Sequence, residues 1–144
     1  MKQKGLLILL IFATIGLIDA SYLTYEHYSG IIPPCSTNLL FLDCGKVLTS
    51  VYSTIGTIPL SLLGLIHYFV LVFLILVNIL KKGKWYSIVL IQTSIGFLVS
   101  LYLIYLQIFV IHSFCFYCMI SAVNSIILLS FAMFFNKKSH QAPV

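Results

Sequence analysis

Three long apolar stretches, parted only by short clusters of lysine, constrain this chain more than any other feature. Gly5 to Tyr25 carries one charge, and Val47 to Leu80 and Trp85 to Asn136 carry none. With 61% hydrophobic and 8% charged residues, a chain of 144 residues lacks the charge to cover a soluble globule. It reads as an integral membrane protein. At roughly 20 residues per crossing the first two stretches hold one span each, and the third, 52 residues long, holds two. The expected fold is an all-α membrane protein, a bundle of four transmembrane helices over about 5–27, 58–80, 85–110 and 115–136.

The lysines supply the topology. Lys2 and Lys4 precede the first span, Lys81, Lys82 and Lys84 part the second from the third, and Lys137 and Lys138 follow the fourth. Cytoplasmic loops collect such residues, so both termini are expected in the cytoplasm, with Lys46 alone outside. The net charge of +5 is then a topology signal and no nucleic-acid footprint. Lys2 and Lys4 before an apolar run also fit a signal peptide, but Leu17-Ile18-Asp19-Ala20 is a poor small-residue cleavage site. The segment reads as the first membrane helix.

This topology gathers four cysteines at one face. Cys35 and Cys44 fall in the outer loop between the first two spans; Cys115 and Cys118 fall where the fourth helix begins, after a turn around Ile111 to Phe114. Disulfides persist outside the cytosol. Cys115-Phe116-Tyr117-Cys118 has the CxxC spacing, which on a helix puts both sulfurs on one face, one turn apart. A helix start also favours a thiolate there.

Three readings of these cysteines compete. Thiol in an apolar helix is often only a small hydrophobe, and two disulfides could merely staple a loop. Four thiolates could hold zinc, with His27, His67 and His112 nearby, although Cys-x8-Cys is loose for zinc and no metal is expected. Redox exchange at the membrane surface accounts best for two close pairs on one face. Nothing resembles a phosphate loop, a paired-carboxylate site or a repeat array.

The chain resembles the vitamin K epoxide reductase family, in particular its bacterial disulfide-forming members. The likeness runs from Gly16-Leu17-Ile18-Asp19-Ala20-Ser21-Tyr22-Leu23-Thr24 through Asp43-Cys44-Gly45-Lys46-Val47-Leu48-Thr49-Ser50 and Gly56-Thr57-Ile58-Pro59-Leu60-Ser61-Leu62-Leu63-Gly64 to the CxxC helix. The resemblance implies one membrane domain over residues 1–144, a bundle around a quinone, a cysteine-bearing outer loop and a short capping half-helix at about Val47 to Ile55. It implies a thiol oxidase that takes electrons from a separate DsbA-like thioredoxin-fold protein, no such domain being fused to the chain, and gives them to menaquinone or ubiquinone. Disulfides would thereby form in exported proteins, at the inner membrane of a bacterium. Cys35 would meet the partner, Cys44 would attack within the enzyme, Cys115 would receive electrons and Cys118 would face the quinone. Ser50 matches a family serine in the half-helix, and Ser50, Ser61, Phe114 and Tyr117 are the candidate quinone pocket.

Vertebrate members hold their quinone with an Asn in span two and a Tyr four residues after the last cysteine, where this chain has Leu60 and Ala122. Plain quinone reduction is expected over the epoxide reaction. The competing functions are a DsbB-like oxidase, in which the order of the two cysteine pairs is reversed, and a tetraspan scaffold or metal carrier with structural cysteines. Asp19, an acid inside a predicted span, is either functional or solvated near the outer interface. His67 is expected to be satisfied by a neighbouring helix.

Overall fold

A computed structural model of the chain describes residues 2–31, 43–81 and 85–140. Cys35, with Pro33 and Pro34 before it, lies outside those residues, as do Lys82 and Lys84. The elements are α1 (Lys2–Ser29), α2 (Cys44–Leu48), a 3-10 turn (Val51–Ser53), β1 (Thr54–Ile55), β2 (Ile58–Pro59), α3 (Leu60–Leu80), α4 (Tyr86–Tyr105), a π-helical segment (Leu106–Ile111) and α5 (Phe116–His140). Among the described residues four helical stretches are long and apolar enough to cross a membrane: Lys4–Ser29, Leu60–Leu80, Tyr86–Ile111 and Phe116–Lys137. Lipid offers no hydrogen bonds, so such a chain spans only as helices that satisfy their own backbone. The protein is a multi-pass, four-helix membrane bundle.

The four long helices close into a ring, α1 packing on α3 and α5, and α4 packing on the same two. Lipid tails are as apolar as leucine, so close packing and hydrogen bonds between the helices hold them together. Ala13, Ala20 and Ala132 are buried at the interfaces, while Ile18, Phe69, Phe73, Leu98 and Phe134 face outward. At Gly16 a Cβ would collide with the Tyr68 ring and come within 2.7 Å of Asn124 Nδ2. That gap admits a polar seam. Asn124 Nδ2 donates to the Phe12 carbonyl at 3.1 Å, the Tyr68 hydroxyl lies 3.3 Å from the hydroxyls of both Ser121 and Ser125, and Ser100 donates to Ser125 at 3.0 Å. One network thus joins all four helices. His67 is satisfied from α4 by Gln92, Nε2 to Nδ1 at 3.0 Å.

The helix order puts the lysines at one end. Gly5 abuts Phe135, and the Tyr86 hydroxyl donates to the Ala132 carbonyl at 2.8 Å, which brings the starts of α1 and α4 to the end of α5. Lys4, Lys81 and Lys137 therefore share that end, opposite the cysteines. At the cysteine end α1 stops at Gly30, whose φ of 65° lets Gly30 N–H reach His27 O and Ile31 N–H reach Glu26 O at 3.2 Å. This paired closure is the left-handed helix stop that glycine favours.

The capping half-helix is displaced from the expected Val47 to Ile55. It runs from Cys44 to Leu48, because the Asp43 carboxylate accepts the Lys46 N–H at 3.0 Å and starts the helix three residues early. Thr49 and Ser50 then end it, their hydroxyls donating back to the carbonyls of Gly45 at 2.7 Å and Val47 at 2.8 Å. The chain continues through the 3-10 turn into a tight antiparallel hairpin, Thr54 opposite Pro59, turning at Gly56 with φ 65°.

Gly16→Ala should overpack the α1–α3 contact and cost about 1–3 kcal/mol, read as a lower thermal midpoint in detergent. Gly64→Ala, whose added Cβ would meet nothing nearer than Ala20 at 3.8 Å, should leave the midpoint close to that of the parent.

Candidate active site

The site forms where two loops meet at the cysteine end. Asp43 N–H donates to the Phe114 carbonyl at 3.1 Å, pinning the start of α2 to the turn between α4 and α5. Cys44, first residue of α2, and Cys115, just before α5, are both fully buried. They belong to one apolar cluster with Val47 and Ile111, against which Leu48, Tyr117 and Cys118 pack. Cys44 is held in a disulfide, whereas Cys115 and Cys118 are free thiols. The partner expected for Cys44, Cys35, lies outside the described residues.

Cys115 caps α5. Its carbonyl accepts the Met119 N–H at 3.0 Å, and its sulfur receives the Cys118 thiol together with the backbone N–H groups of Cys118 and Tyr117. The Cys118 thiol is the main reason that Cys115 is held below the usual thiol range; burial and the Asp19 carboxylate push the other way. Its own backbone N–H goes to the Gln107 side-chain oxygen at 2.9 Å. Gln107 stands on the π-helical segment, and its backbone carbonyl also accepts from His112 and Ser113, the latter at 3.2 Å. His112 closes the turn at φ 53°, a left-handed geometry that His tolerates better than bulkier residues do.

Behind the thiols lies a cavity of about 120 Å³, roughly ten times the room one water needs. Leu103, Ile104, Leu106 and Ala122 make its wall chiefly apolar, and Cys118 opens onto it. Asp19 and Ser61 line it too, and Asp19 Oδ2 and Ser61 Oγ are buried with no hydrogen-bond partner. A buried polar atom without a partner costs about 1–3 kcal/mol. An apolar slot with an unused hydroxyl suits a flat molecule bearing hydrogen-bond acceptors.

The candidate pocket residues divide. Ser50 and Ser61 line the cavity, Ser50 with its hydroxyl donated to Val47 O. Phe114 and Tyr117 are not among its lining residues. Phe114 serves through its carbonyl, and the Tyr117 ring packs on Tyr22 with centroids 5.2 Å apart and on the thiol cluster. Leu60 and Ala122 both lie in the cavity wall. Sequence reading missed Gln107, Ser100 and Ser121, which line the cavity as well. Gln107 carried a signal, an amide alone in the apolar run from Leu106 to Ile111. Among the described residues no group of three His, Cys, Asp or Glu side chains could hold a metal.

A buried membrane dithiol, packed against a disulfide-bonded cysteine and open to an apolar cavity, defines a membrane thiol–disulfide oxidoreductase. The chain belongs to the vitamin K epoxide reductase family, whose model matches residues 7–133. It is an enzyme of that kind, the family being quinone-dependent oxidoreductases that act on thiols and disulfides. A search of curated proteins returns no match to the chain.

Removing the Cys118 donor should free Cys115 to titrate higher. In Cys118→Ala the pH midpoint for alkylation of Cys115 by a small membrane-permeant reagent should rise, and alkylation at neutral pH should slow several-fold; Cys118→Ser, which keeps a donor, should shift it less. An unchanged midpoint in Cys118→Ala would contradict the hydrogen bond as the cause.

Proposed function

We propose that the protein oxidises the dithiol of a DsbA-like thioredoxin-fold partner and delivers the electrons to a quinone, promoting disulfide formation in exported proteins. The observation that carries this reading is the packing of Cys44 against Cys115 in one buried cluster while Cys118 opens onto the cavity. The family match supports a single membrane domain. Lys4, Lys81 and Lys137 at the opposite end support a cytoplasmic location for both termini, with the cysteines on the outer face of a bacterial inner membrane.

Electrons then move by exchange of sulfur bonds. A partner dithiol reduces the Cys35–Cys44 disulfide and leaves as a disulfide. The Cys44 thiolate attacks Cys115 of an oxidised CxxC, forming Cys44–Cys115 and releasing Cys118 as thiolate; Cys35 then attacks Cys44, restoring the loop disulfide and leaving a reduced CxxC. A bound quinone, menaquinone or ubiquinone, supplies a two-electron acceptor that takes up two protons. A strong DsbA-type oxidant has a potential near −120 mV, and glutathione-like pools are too reducing to regenerate it, so a respiratory acceptor is the fitting sink.

The residues present fit such a group. Ser61 Oγ has its donor to spare and would hold a carbonyl oxygen, with Ser50 beside it, while Leu103, Ile104 and Leu106 would cover the ring face. Leu60 and Ala122 in the wall replace the Asn and Tyr of the vertebrate enzymes, which supports plain quinone reduction over epoxide chemistry.

Trapping the cross-pair bond tests the relay. In Cys118→Ser, Cys115 can attack Cys44 of the loop disulfide and nothing on α5 can reverse the step. Peptide mapping after alkylation should find Cys44 joined to Cys115, with Cys35 alkylated. Cys35 joined to Cys115 would exchange the roles of the loop cysteines, and the absence of any cross-pair bond would overturn the relay.

A further inference from the structure

Disulfide exchange carries electrons from the outer face into the bundle, but it does not by itself carry protons. Resting on the reading above, the balance is partner dithiol plus quinone giving partner disulfide plus quinol. Two protons leave thiols at the outer face, and two are needed in the cavity behind α2. A thiolate relay through buried sulfurs leaves those protons to find another way.

One face of α1 offers it. Asp19, Glu26 and His27 stand at i, i+7 and i+8, two helical turns or about 10.5 Å apart, on the same side of the helix. Asp19 and His27 line the cavity with Cys118. His27 and Glu26 line a second chamber of about 360 Å³ on the outer side, which shares Leu48, Ser50 and Ser53 with the first. His27 is thus common to both.

Asp19 and Glu26 are two of only three acids in the chain. Acids in a membrane helix are costly and by default mark function, and these are not recovered by pairing. Asp19 Oδ2 and Glu26 Oε2 are each buried without a hydrogen-bond partner; the Tyr22 hydroxyl bonds to the Glu26 carboxylate. A packing role explains neither unpartnered oxygen. A carboxyl, an imidazole and a second carboxyl, lining two adjoining chambers with room for water, supply the groups from which a water-bridged path is built.

We propose that Glu26, His27 and Asp19 form the proton entry route from the outer face to the quinone cavity, Asp19 being the group that exchanges protons with the Cys115–Cys118 dithiol and with the bound quinone. When the dithiol closes to a disulfide, two electrons and two protons leave it. Asp19 passes those protons to the quinone oxygens, and the outer chamber refills the site at the next turnover through His27 and Glu26.

The test begins with quinone-free protein. Infrared difference spectra of the dithiol oxidised by diamide minus the reduced form should contain a carboxylic-acid carbonyl band that vanishes in Asp19→Asn. On mixing with D2O that band should shift at once in the parent and at least tenfold more slowly in Glu26→Gln and His27→Gln. With quinone supplied, Asp19→Asn should form quinol roughly a hundredfold more slowly, the scale of a lost general acid–base group, and Asp19→Glu should recover most of the loss. A spectrum with no Asp19 band, or exchange equally fast in both outer variants, overturns the route. Cys118→Ser separates the two claims. If that variant still reduces quinone, the thiol-to-quinone reading fails; if it is inactive while Asp19→Asn is unimpaired, only the proton route fails.

Discussion

The hydrogen bond from Asp43 N–H to the Phe114 carbonyl joins two segments that lie far apart in the chain, and the site exists only because they meet. Asp43 also caps α2, so one residue both starts the half-helix and docks it. Cys44, next in sequence, is carried directly into the cluster that holds Cys115. From the other side, Gln107 fixes the backbone of Cys115 through its side chain and the turn after the π-helical segment through its carbonyl. Cys44 and Cys115 meet because the backbone at Asp43 and at Cys115 is held.

Inside a bundle surrounded by lipid, hydrogen bonds are strong and any missing partner is expensive. Among the described residues the deep polar groups are nearly all satisfied, through the seam of Tyr68, Ser100, Ser121, Asn124 and Ser125 and through the His67–Gln92 pair. Against that background the unpartnered atoms stand out: Asp19 Oδ2 and Ser61 Oγ in the cavity wall and Glu26 Oε2 beside it. The exceptions gather at one end of the bundle, where α2 closes over it, and the opposite end is packed with Leu6, Leu9, Ile75, Leu128 and Ala132.

Much of this was legible in the sequence, for reasons that differ between elements. The four spans follow from charge-free length and the position of lysines, signals that packing does not override, and among the described residues four helices are long and apolar enough to cross a membrane. The half-helix was misplaced because its start depends on one side-chain bond at Asp43, and its end on hydroxyls that turn back on the helix; neither leaves a periodic trace in five residues. The π-helical segment has no sequence signature, so Gln107 read as one polar residue in an apolar run. Phe114 and Tyr117 were ambiguous because rings near a membrane surface serve packing as readily as ligands. Ser61 sits two residues after Pro59, which fixes where α3 begins and so which way the hydroxyl faces.

The central claim is that the dithiol at the start of α5 is what reduces the quinone. Reduced protein carrying Cys35→Ser and Cys44→Ser, so that no loop thiol can re-reduce the α5 pair, mixed with one equivalent of quinone in the absence of oxygen and quenched by alkylation within a single turnover, tests it most directly. The account predicts that quinol appears in step with the loss of alkylatable thiol at Cys115 and Cys118. Quinol appearing while both of those cysteines remain alkylated in full would contradict it.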